Sequence, residues 1–328
     1  MKQLRKIASR SVGAIGLGCM NLSHAYGNPP GKSDAIRLIH HACDIGVQHF
    51  DTAALYGFGS NEDLVGEALK DRRHKVFLAS KCGMTGVDGK RVIDGRPETL
   101  LKTVDEALKR LQTDHIDLYY LHRWDKAVPV EDSMGALASM VKQGKVRSVG
   151  LSEVSADTLR KAHMVHPVAA LQTEYSLWTR NAELAVLEAC RELGVAFVAF
   201  SPVARGFLCG SVGDSTTMAD KDIRRGMPRF QAPNIAVNQQ LFREFSELSE
   251  QADCTPGQLA LGWLLNQGEH IIPIPGTRSI EHLEENMRAA EIQIPPVILA
   301  AAGALINQDT VSGKRYPPAT QAEIDTED

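Results

Sequence analysis

The chain has 328 residues, of which 43% are hydrophobic and 23% charged, and 36 basic against 40 acidic side chains give a formal net charge of −4. These values are ordinary for a globular enzyme. They exclude the basic field that nucleic-acid binding requires and the polybasic attraction of a peripheral membrane protein. A chain of this length can bury about three quarters of its unfolded surface without disulfides.

The six cysteines are scattered, without a CxxC pair or the short spacing of a zinc site. This pattern predicts reduced thiols and no metal centre. The first ten residues, MKQLRKIASR, contain no apolar targeting segment, and no apolar run is long enough to cross a membrane. We therefore expect a soluble, cytoplasmic protein without a membrane or nucleic-acid partner.

Eight apolar segments of strand length alternate with segments of helical periodicity. In chain order, the predicted strands are 14–17, 47–50, 76–79, 116–121, 146–151, 169–172, 195–200 and 271–274. Helix signals lie between them. One helix follows Ser33, one opens at Pro97, one starts at Asn181 and stops at Gly194, and one follows Ser279.

Strands that alternate with helices predict a parallel sheet covered by helices. A doubly wound open sheet would normally carry GxGxxG straight after its first strand, whereas Gly16 and Gly18 supply only GxG. We therefore predict a single-domain (β/α)8 TIM barrel over residues 1–328, with its core at about 10–290. A long functional loop is expected at 203–237, and a weakly ordered polar tail at 309–328.

Polar residues follow three successive predicted strands. Asp51 ends the second strand, Lys81 the third and His122 the fourth, and the loop after the second strand adds Tyr56. Singly, each is typical of a structural ion pair, a satisfied histidine or simple packing. Because strand carboxyl ends converge on one face of a barrel, where barrel enzymes carry out chemistry, the four together indicate a catalytic centre.

The same residues resemble the aldo-keto reductases. DTAALYG (51–57) is similar to that family's DxxxxYG signature, and Lys81 in LASKCG and His122 in YYLHRWD match its remaining tetrad positions. GLSE (150–153), LQTEYS (171–176), AFSPVARGFLCG (199–210) and IPIPGTRSIEHLEEN (272–286) match its cofactor-binding segments in order. The similarity covers nearly the whole chain.

The resemblance implies an NADP(H)-dependent oxidoreductase that transfers hydride from NADPH to an aldehyde or ketone. Tyr56 would donate the proton, and Lys81 with Asp51 would lower the pKa of the phenol. His122 would orient the substrate carbonyl. The hydride comes from the nicotinamide, so the protein supplies position and electrostatics.

The resemblance also implies a set of cofactor contacts. In chain order they are Gly18, Cys19, Met20, Asp51, Ser152, Glu153, Gln172, Phe200, Ser201, Pro202, Val203, Ala204, Arg205, Gly206, Gly276, Thr277, Arg278, His282, Glu285 and Asn286. Ser152, Glu153 and Gln172 would hold the nicotinamide carboxamide, although the family usually has Asn where Glu153 stands. Phe200 would stack on the ring. Arg278, beside a helix N-terminus, would bind the adenosine 2′-phosphate.

Within the cofactor segments, residues 201–207 would wrap the pyrophosphate with backbone N–H groups and Arg205. The substrate pocket should be rimmed by Met20, Leu55, Trp124, Trp178 and the 203–237 loop. The identity of the carbonyl compound and the oligomeric state stay open.

Two other functions stay open as well. One is a regulatory binding module like the potassium-channel β subunits, which resemble this family. The other is a barrel hydrolase or lyase that uses Asp51, Glu153 and Lys81 without nicotinamide.

Overall fold

The computed structural model describes residues 3–212 and 215–327, and a parallel sheet of eight strands forms its centre. The strands of the described chain are β1 (Leu4–Ile7), β2 (Arg10–Gly13), β3 (Leu17–Gly18), β4 (His49–Asp51), β5 (Phe77–Cys82), β6 (Met84–Val87), β7 (Lys90–Ile93), β8 (Leu118–Leu121), β9 (Val149–Ser152), β10 (Val168–Glu174), β11 (Ala196–Phe200) and β12 (Ile271–Pro273). The sheet has the order β3-β4-β5-β8-β9-β10-β11-β12, and its neighbours are parallel.

Backbone hydrogen bonds join the two edges of this sheet. Gly16 N–H donates to Pro273 O (3.0 Å) and Gly18 N–H to Pro275 O (3.2 Å). The sheet therefore closes on itself, and the predicted (β/α)8 barrel is confirmed. Each predicted strand overlaps an observed one, although the first begins only at Leu17.

Helices follow the strands and cover the outside of the barrel. Those of the described chain are α1 (Lys32–Asp44), α2 (Ser60–Leu69), α3 (Pro97–Arg110), α4 (Val130–Lys142), α5 (Ala156–Val165), α6 (Val186–Leu193), α7 (Asn234–Gln251), α8 (Pro256–Leu265), α9 (Ile280–Arg288), α10 (Pro296–Leu305) and α11 (Pro318–Gln321). Within the described residues, none of them is long and apolar enough to span a membrane.

Two of the helix ends follow the predicted capping chemistry. The Ser279 hydroxyl accepts from His282 N–H at the start of α9, and Gly194 ends α6 with a left-handed φ of 67°. The first helix starts earlier than expected, after Gly31.

An N-terminal hairpin, which the sequence did not predict, closes the lower end of the barrel. Strands β1 and β2 pair antiparallel, and Ile7 and Val12 pack against the starts of barrel strands at Phe77, Leu118 and Ile272. Two four-residue strands are too short for a clear alternating pattern, which explains the omission.

The loop expected at 203–237 is shorter than predicted, because α7 begins at Asn234. Short 3₁₀ turns occupy much of the segment before α7. Gly213 and Asp214, which fall inside the predicted loop, lie outside the described residues.

The prediction of a weakly ordered tail at 309–328 is wrong for the residues described there. Arg315 and Tyr316 are buried, and Asp325 pairs with Val154 beside the end of β9. The segment is polar because its side chains form buried ion pairs, a use of charge that composition alone does not reveal. Asp328, at the end of that range, lies outside the described residues.

Candidate active site

A cavity of about 730 Å³ opens at the carboxyl ends of the barrel strands. Its volume is in the range of small-molecule and cofactor sites. The loops after the strands form its walls, and Tyr316, Pro317 and Thr320 of the C-terminal segment complete them. No cluster of potential metal ligands was found among the described residues.

Lys81 joins Asp51 and Tyr56, two residues that line the cavity. Its ammonium is completely buried and donates to Asp51 Oδ1 (2.5 Å), Thr52 O (2.8 Å) and Tyr56 Oη (3.3 Å). Asp51 Oδ2 in turn accepts from the Gln172 side chain at 2.8 Å. The structure therefore brings together the predicted carboxylate, ammonium and phenol in one hydrogen-bonded unit.

The backbone around Tyr56 explains why the loop has the sequence YGFG. Gly57, Phe58 and Gly59 have left-handed φ values of 56°, 53° and 98°. Two of these positions are glycines, which adopt such angles at little cost. The turn presents Tyr56 to the cavity, where its ring meets the His122 ring edge-on at 5.8 Å between centroids.

Burial and charge determine the protonation states of these groups. Burial raises the pKa of Tyr56 above its usual value, although the Lys81 ammonium opposes it. Burial alone would lower the pKa of Lys81, but Asp51 and Tyr56 raise it. Burial, followed by Arg123 and Lys81, keeps the pKa of His122 well below its usual value. At neutral pH the site therefore holds a neutral phenol, a charged ammonium and a neutral imidazole.

This result corrects one expectation. Lys81 acts on the Tyr56 pKa in the predicted direction, but the net pKa is raised because removal from water disfavours the phenolate more strongly.

Most of the predicted cofactor residues line the cavity. In chain order, those that do are Gly18, Met20, Asp51, Ser152, Gln172, Phe200, Ser201, Pro202, Val203, Arg205, Gly206, Gly276, Thr277, Arg278, His282, Glu285 and Asn286. Cys19, Glu153 and Ala204 are not part of that lining, and all three are buried.

Glu153 differs most from its expected role. Its Oε2 accepts from Arg315 Nη2 at 2.6 Å, and its Oε1 accepts from the Glu174 backbone N–H at 2.9 Å. A buried carboxylate requires such a cationic partner. The C-terminal segment supplies that cation, so the carboxylate is engaged with Arg315 instead of the cavity.

The same buried network holds Arg205. Its guanidinium donates to Glu174 Oε2 (2.6 Å) and to the hydroxyls of Tyr316 (2.9 Å) and Tyr26 (3.3 Å). Burial alone would raise the pKa of Glu174, but Arg205 and Arg315 hold it far below its usual value. Arg205 therefore ties the loop after β11 to the C-terminal segment while still lining the cavity.

That loop is strained where it faces the cavity. Ser201, Ala204 and Arg205 have φ values of 50°, 52° and 58°, a region that non-glycine residues rarely occupy. Each such residue costs on the order of 1 kcal/mol, and strain of this kind is concentrated at ligand clamps and active sites.

Arg278 also lines the cavity, just before α9. It is exposed, and its Nη1 donates to Asn28 O at 2.6 Å. Its position beside a helix N-terminus favours anions. Glu285, farther along α9, accepts from the Thr255 hydroxyl at 2.5 Å.

The predicted aromatic rim is only partly right. Met20 and Leu55 line the cavity, but Trp178 is buried with its ring 3.8 Å from that of Phe207, and Trp124 donates to Val128 O. Several further residues line the cavity without having been predicted, namely His24, Tyr26, Met84, Arg91, Arg123, Tyr316 and Thr320. Only Arg123 had an accessible signal, since it directly follows His122 at a strand end.

The chain is similar to known proteins over almost its full length. The Aldo/keto reductase family model matches residues 14–302. Probable aldo-keto reductase 1 of Glycine max is 41% identical over 308 residues, which cover 93% of this chain and 88% of that protein. The NADP(+) aldo-keto reductase yakc of Schizosaccharomyces pombe is 39% identical over 327 residues, covering 98% and 96% of the two chains.

The similarity also holds for the three-dimensional fold of a solved structure. The glycerol dehydrogenase AKR11B4 from Gluconobacter oxydans has a TM-score of 0.86 and 27% identity, covering 96% of this chain and 98% of that one.

Proposed function

The chain belongs to the aldo/keto reductase family, and on that premise we propose that it reduces aldehydes or ketones with NADPH, with Tyr56 as the proton donor. The observation that carries the proposal is the position of the Lys81 ammonium, which donates both to Asp51 and to Tyr56 Oη at the floor of the cavity. The relative yakc, which is named for NADP(+), supports the choice of cofactor.

Tyr56 delivers the proton. A nicotinamide cofactor held in this cavity would supply the hydride. The neutral phenol donates its proton to the substrate oxygen as negative charge develops there. The ammonium of Lys81 stabilises the phenolate that remains, and Asp51 holds that ammonium in place at 2.5 Å.

His122 positions the carbonyl. Its imidazole is neutral and therefore carries one N–H, which is available to hydrogen-bond the oxygen that receives the Tyr56 proton. The edge-on contact with the Tyr56 ring keeps the two side chains in a defined relation.

The residues of the cavity fit an anionic dinucleotide. Arg278 at the start of α9 would bind the 2′-phosphate, and the strained loop of residues 201–206 would hold the pyrophosphate. Ser152 and Gln172 would contact the carboxamide, and Phe200 would stack on the ring. Gln172 has its amide N–H₂ on Asp51, so its carbonyl oxygen is the group left for the carboxamide.

A hydrolase or lyase using Asp51, Glu153 and Lys81 gains no support from this arrangement. The Glu153 carboxylate is bound to Arg315, and the Asp51 carboxylate to Lys81 and Gln172. A regulatory binding module would keep the same tetrad, so only turnover separates it from an enzyme.

The test is steady-state NADPH oxidation with a panel of aldehydes, comparing the wild type with Tyr56→Phe. Loss of the general acid should lower kcat by roughly 10²- to 10⁴-fold, with NADPH affinity nearly unchanged in a fluorescence titration. Tyr119→Phe is the matched control, since this buried tyrosine does not line the cavity. Near-full activity of Tyr56→Phe would refute its role. A wild type that binds NADPH but reduces no carbonyl would favour a binding module.

A further inference from the structure

Four arginines of the described chain line the cavity in addition to Arg278. Arg91, Arg205 and Arg224 line it, and each has a carboxylate partner: Glu323 at 2.5 Å, Glu174 at 2.6 Å and Asp222 at 2.6 Å, respectively. Arg123 also lines it, but no carboxylate lies within salt-bridge distance of it among the described residues.

The contacts of Arg123 fix one side of its guanidinium and leave the other available. Its Nη1 donates to His122 O (2.6 Å) and to Ser152 Oγ (3.3 Å). For Nε and Nη2, the described part of the chain supplies no hydrogen-bond acceptor. A guanidinium held at one nitrogen presents its remaining N–H groups in a rigid fork, which suits a carboxylate.

Arg123 lies near the reacting groups His122 and Tyr56. It follows His122 at the end of β8, and after burial it is the largest influence that lowers the His122 pKa. Its charge also acts on the Tyr56 phenol. Its anionic partner is therefore expected on the substrate.

Among the described residues, no acidic side chain of the cavity lining is available to pair with Arg123. Among the residues that the structure describes, the lining contains two carboxylates, Asp51 and Glu285. Asp51 is bound by Lys81, and Glu285 accepts from Thr255 beside α9, near Arg278.

We propose that Arg123 binds a carboxylate of the substrate, so that the protein prefers oxo acids over neutral carbonyl compounds of the same shape. The inference rests on the proposed reductase function and names its substrate class. Because Arg123 is only half-buried, its attraction for the carboxylate is partly screened by water.

The experiment uses pairs of aldehydes that differ only in charge. 4-Oxobutanoate and 4-formylbenzoate are each compared with their methyl esters by NADPH oxidation. In the wild type, kcat/KM should be about tenfold or more higher for at least one acid than for its ester. Arg123→Gln should reduce kcat/KM for that acid by on the order of 10- to 100-fold, and for the ester by less than about threefold.

Two further variants make the comparison specific. Arg123→Lys keeps the charge but loses the fork and should recover part of the activity with the acid. Arg91→Gln removes a nearby arginine that is already paired with Glu323 and should leave the acid-to-ester ratio within about threefold of the wild-type ratio.

Equal losses for acid and ester in Arg123→Gln would overturn the proposal, because Arg123 would then act only by supporting His122 and Ser152. A wild type that reduces the esters but discriminates against both acids would also overturn it, while the reductase function stood. A wild type that reduces neither the acids nor their esters would overturn the reductase function and this inference together.

Discussion

Replacing Lys81 with Met should destabilise the protein as well as inactivate it. The Lys81 side chain is 0% exposed and that of Asp51 2%, so the substitution leaves a buried carboxylate without its cation. Breaking such a pair costs about 3–5 kcal/mol. The remaining hydrogen bond from Gln172 favours the lower half of that range.

This loss of unfolding free energy should lower the melting temperature by a measurable amount. An unfolding entropy of about 2.1 cal/mol/K per residue gives roughly 0.7 kcal/mol/K for 328 residues, so a loss of about 3–4 kcal/mol should lower Tm by about 4–6 °C. The double variant Asp51→Asn, Lys81→Met replaces the ion pair by neutral groups and should recover most of the lost stability. Its kcat should stay low, because the Tyr56 phenolate then lacks the adjacent ammonium.

The assay combines thermal unfolding by circular dichroism with steady-state NADPH oxidation. Lys70→Met, at an exposed position after α2, is the control and should change stability by no more than about 0.5 kcal/mol. If Lys81→Met were as stable as the wild type, the buried Asp51 carboxylate would not depend on the Lys81 ammonium for stability. A double variant that regains both stability and rate would mean that the pair has only a structural role.

Three further predictions follow from the site. Burial holds the pKa of Tyr56 above its usual value near 10, so the phenol stays protonated at neutral pH. We therefore expect kcat for reduction to fall only in alkaline solution, as the pH rises through that pKa. A fall of kcat centred near neutral pH would identify another group as the acid. Arg278→Ala should weaken NADPH binding by about 1–3 kcal/mol in a fluorescence titration and leave NADH binding nearly unchanged, whereas equal losses would point to a folding role. Arg315→Met leaves Glu153 without its cation and Glu174 with one fewer, so hydrogen exchange in residues 311–327 should accelerate; unchanged exchange would argue against these ion pairs as the anchor of the segment.

The fold and the reacting residues could be predicted because both follow from the order of the strands. Asp51 ends β4, Lys81 lies one residue before the end of β5 and His122 directly follows β8, and the closed barrel brings strand ends to one face. Tyr56 could be predicted as well, because it lies in the short loop that follows Asp51 on the same face.

Glu153 could not be placed in the same way. Its position at the end of β9 was correct, but its φ of 58° and the partner of its carboxylate depend on residues far along the chain. Arg315, 162 positions later, supplies that partner. Because composition predicts a weakly ordered tail at 309–328, it does not indicate Arg315 as a partner for the Glu153 carboxylate.

The two ends of the barrel are closed by different forces. The N-terminal hairpin closes the lower end through apolar contacts of Ile7 and Val12. The C-terminal segment borders the upper opening through the charge pairs of Arg315 and Arg205 with buried carboxylates. Acid weakens charge pairs by protonating carboxylates but leaves apolar packing intact, and sulfate or phosphate salts even strengthen that packing. Strong acid, which must reach the lowered pKa of Glu174, therefore loosens the side through which reactants enter and leave before it affects the hairpin side.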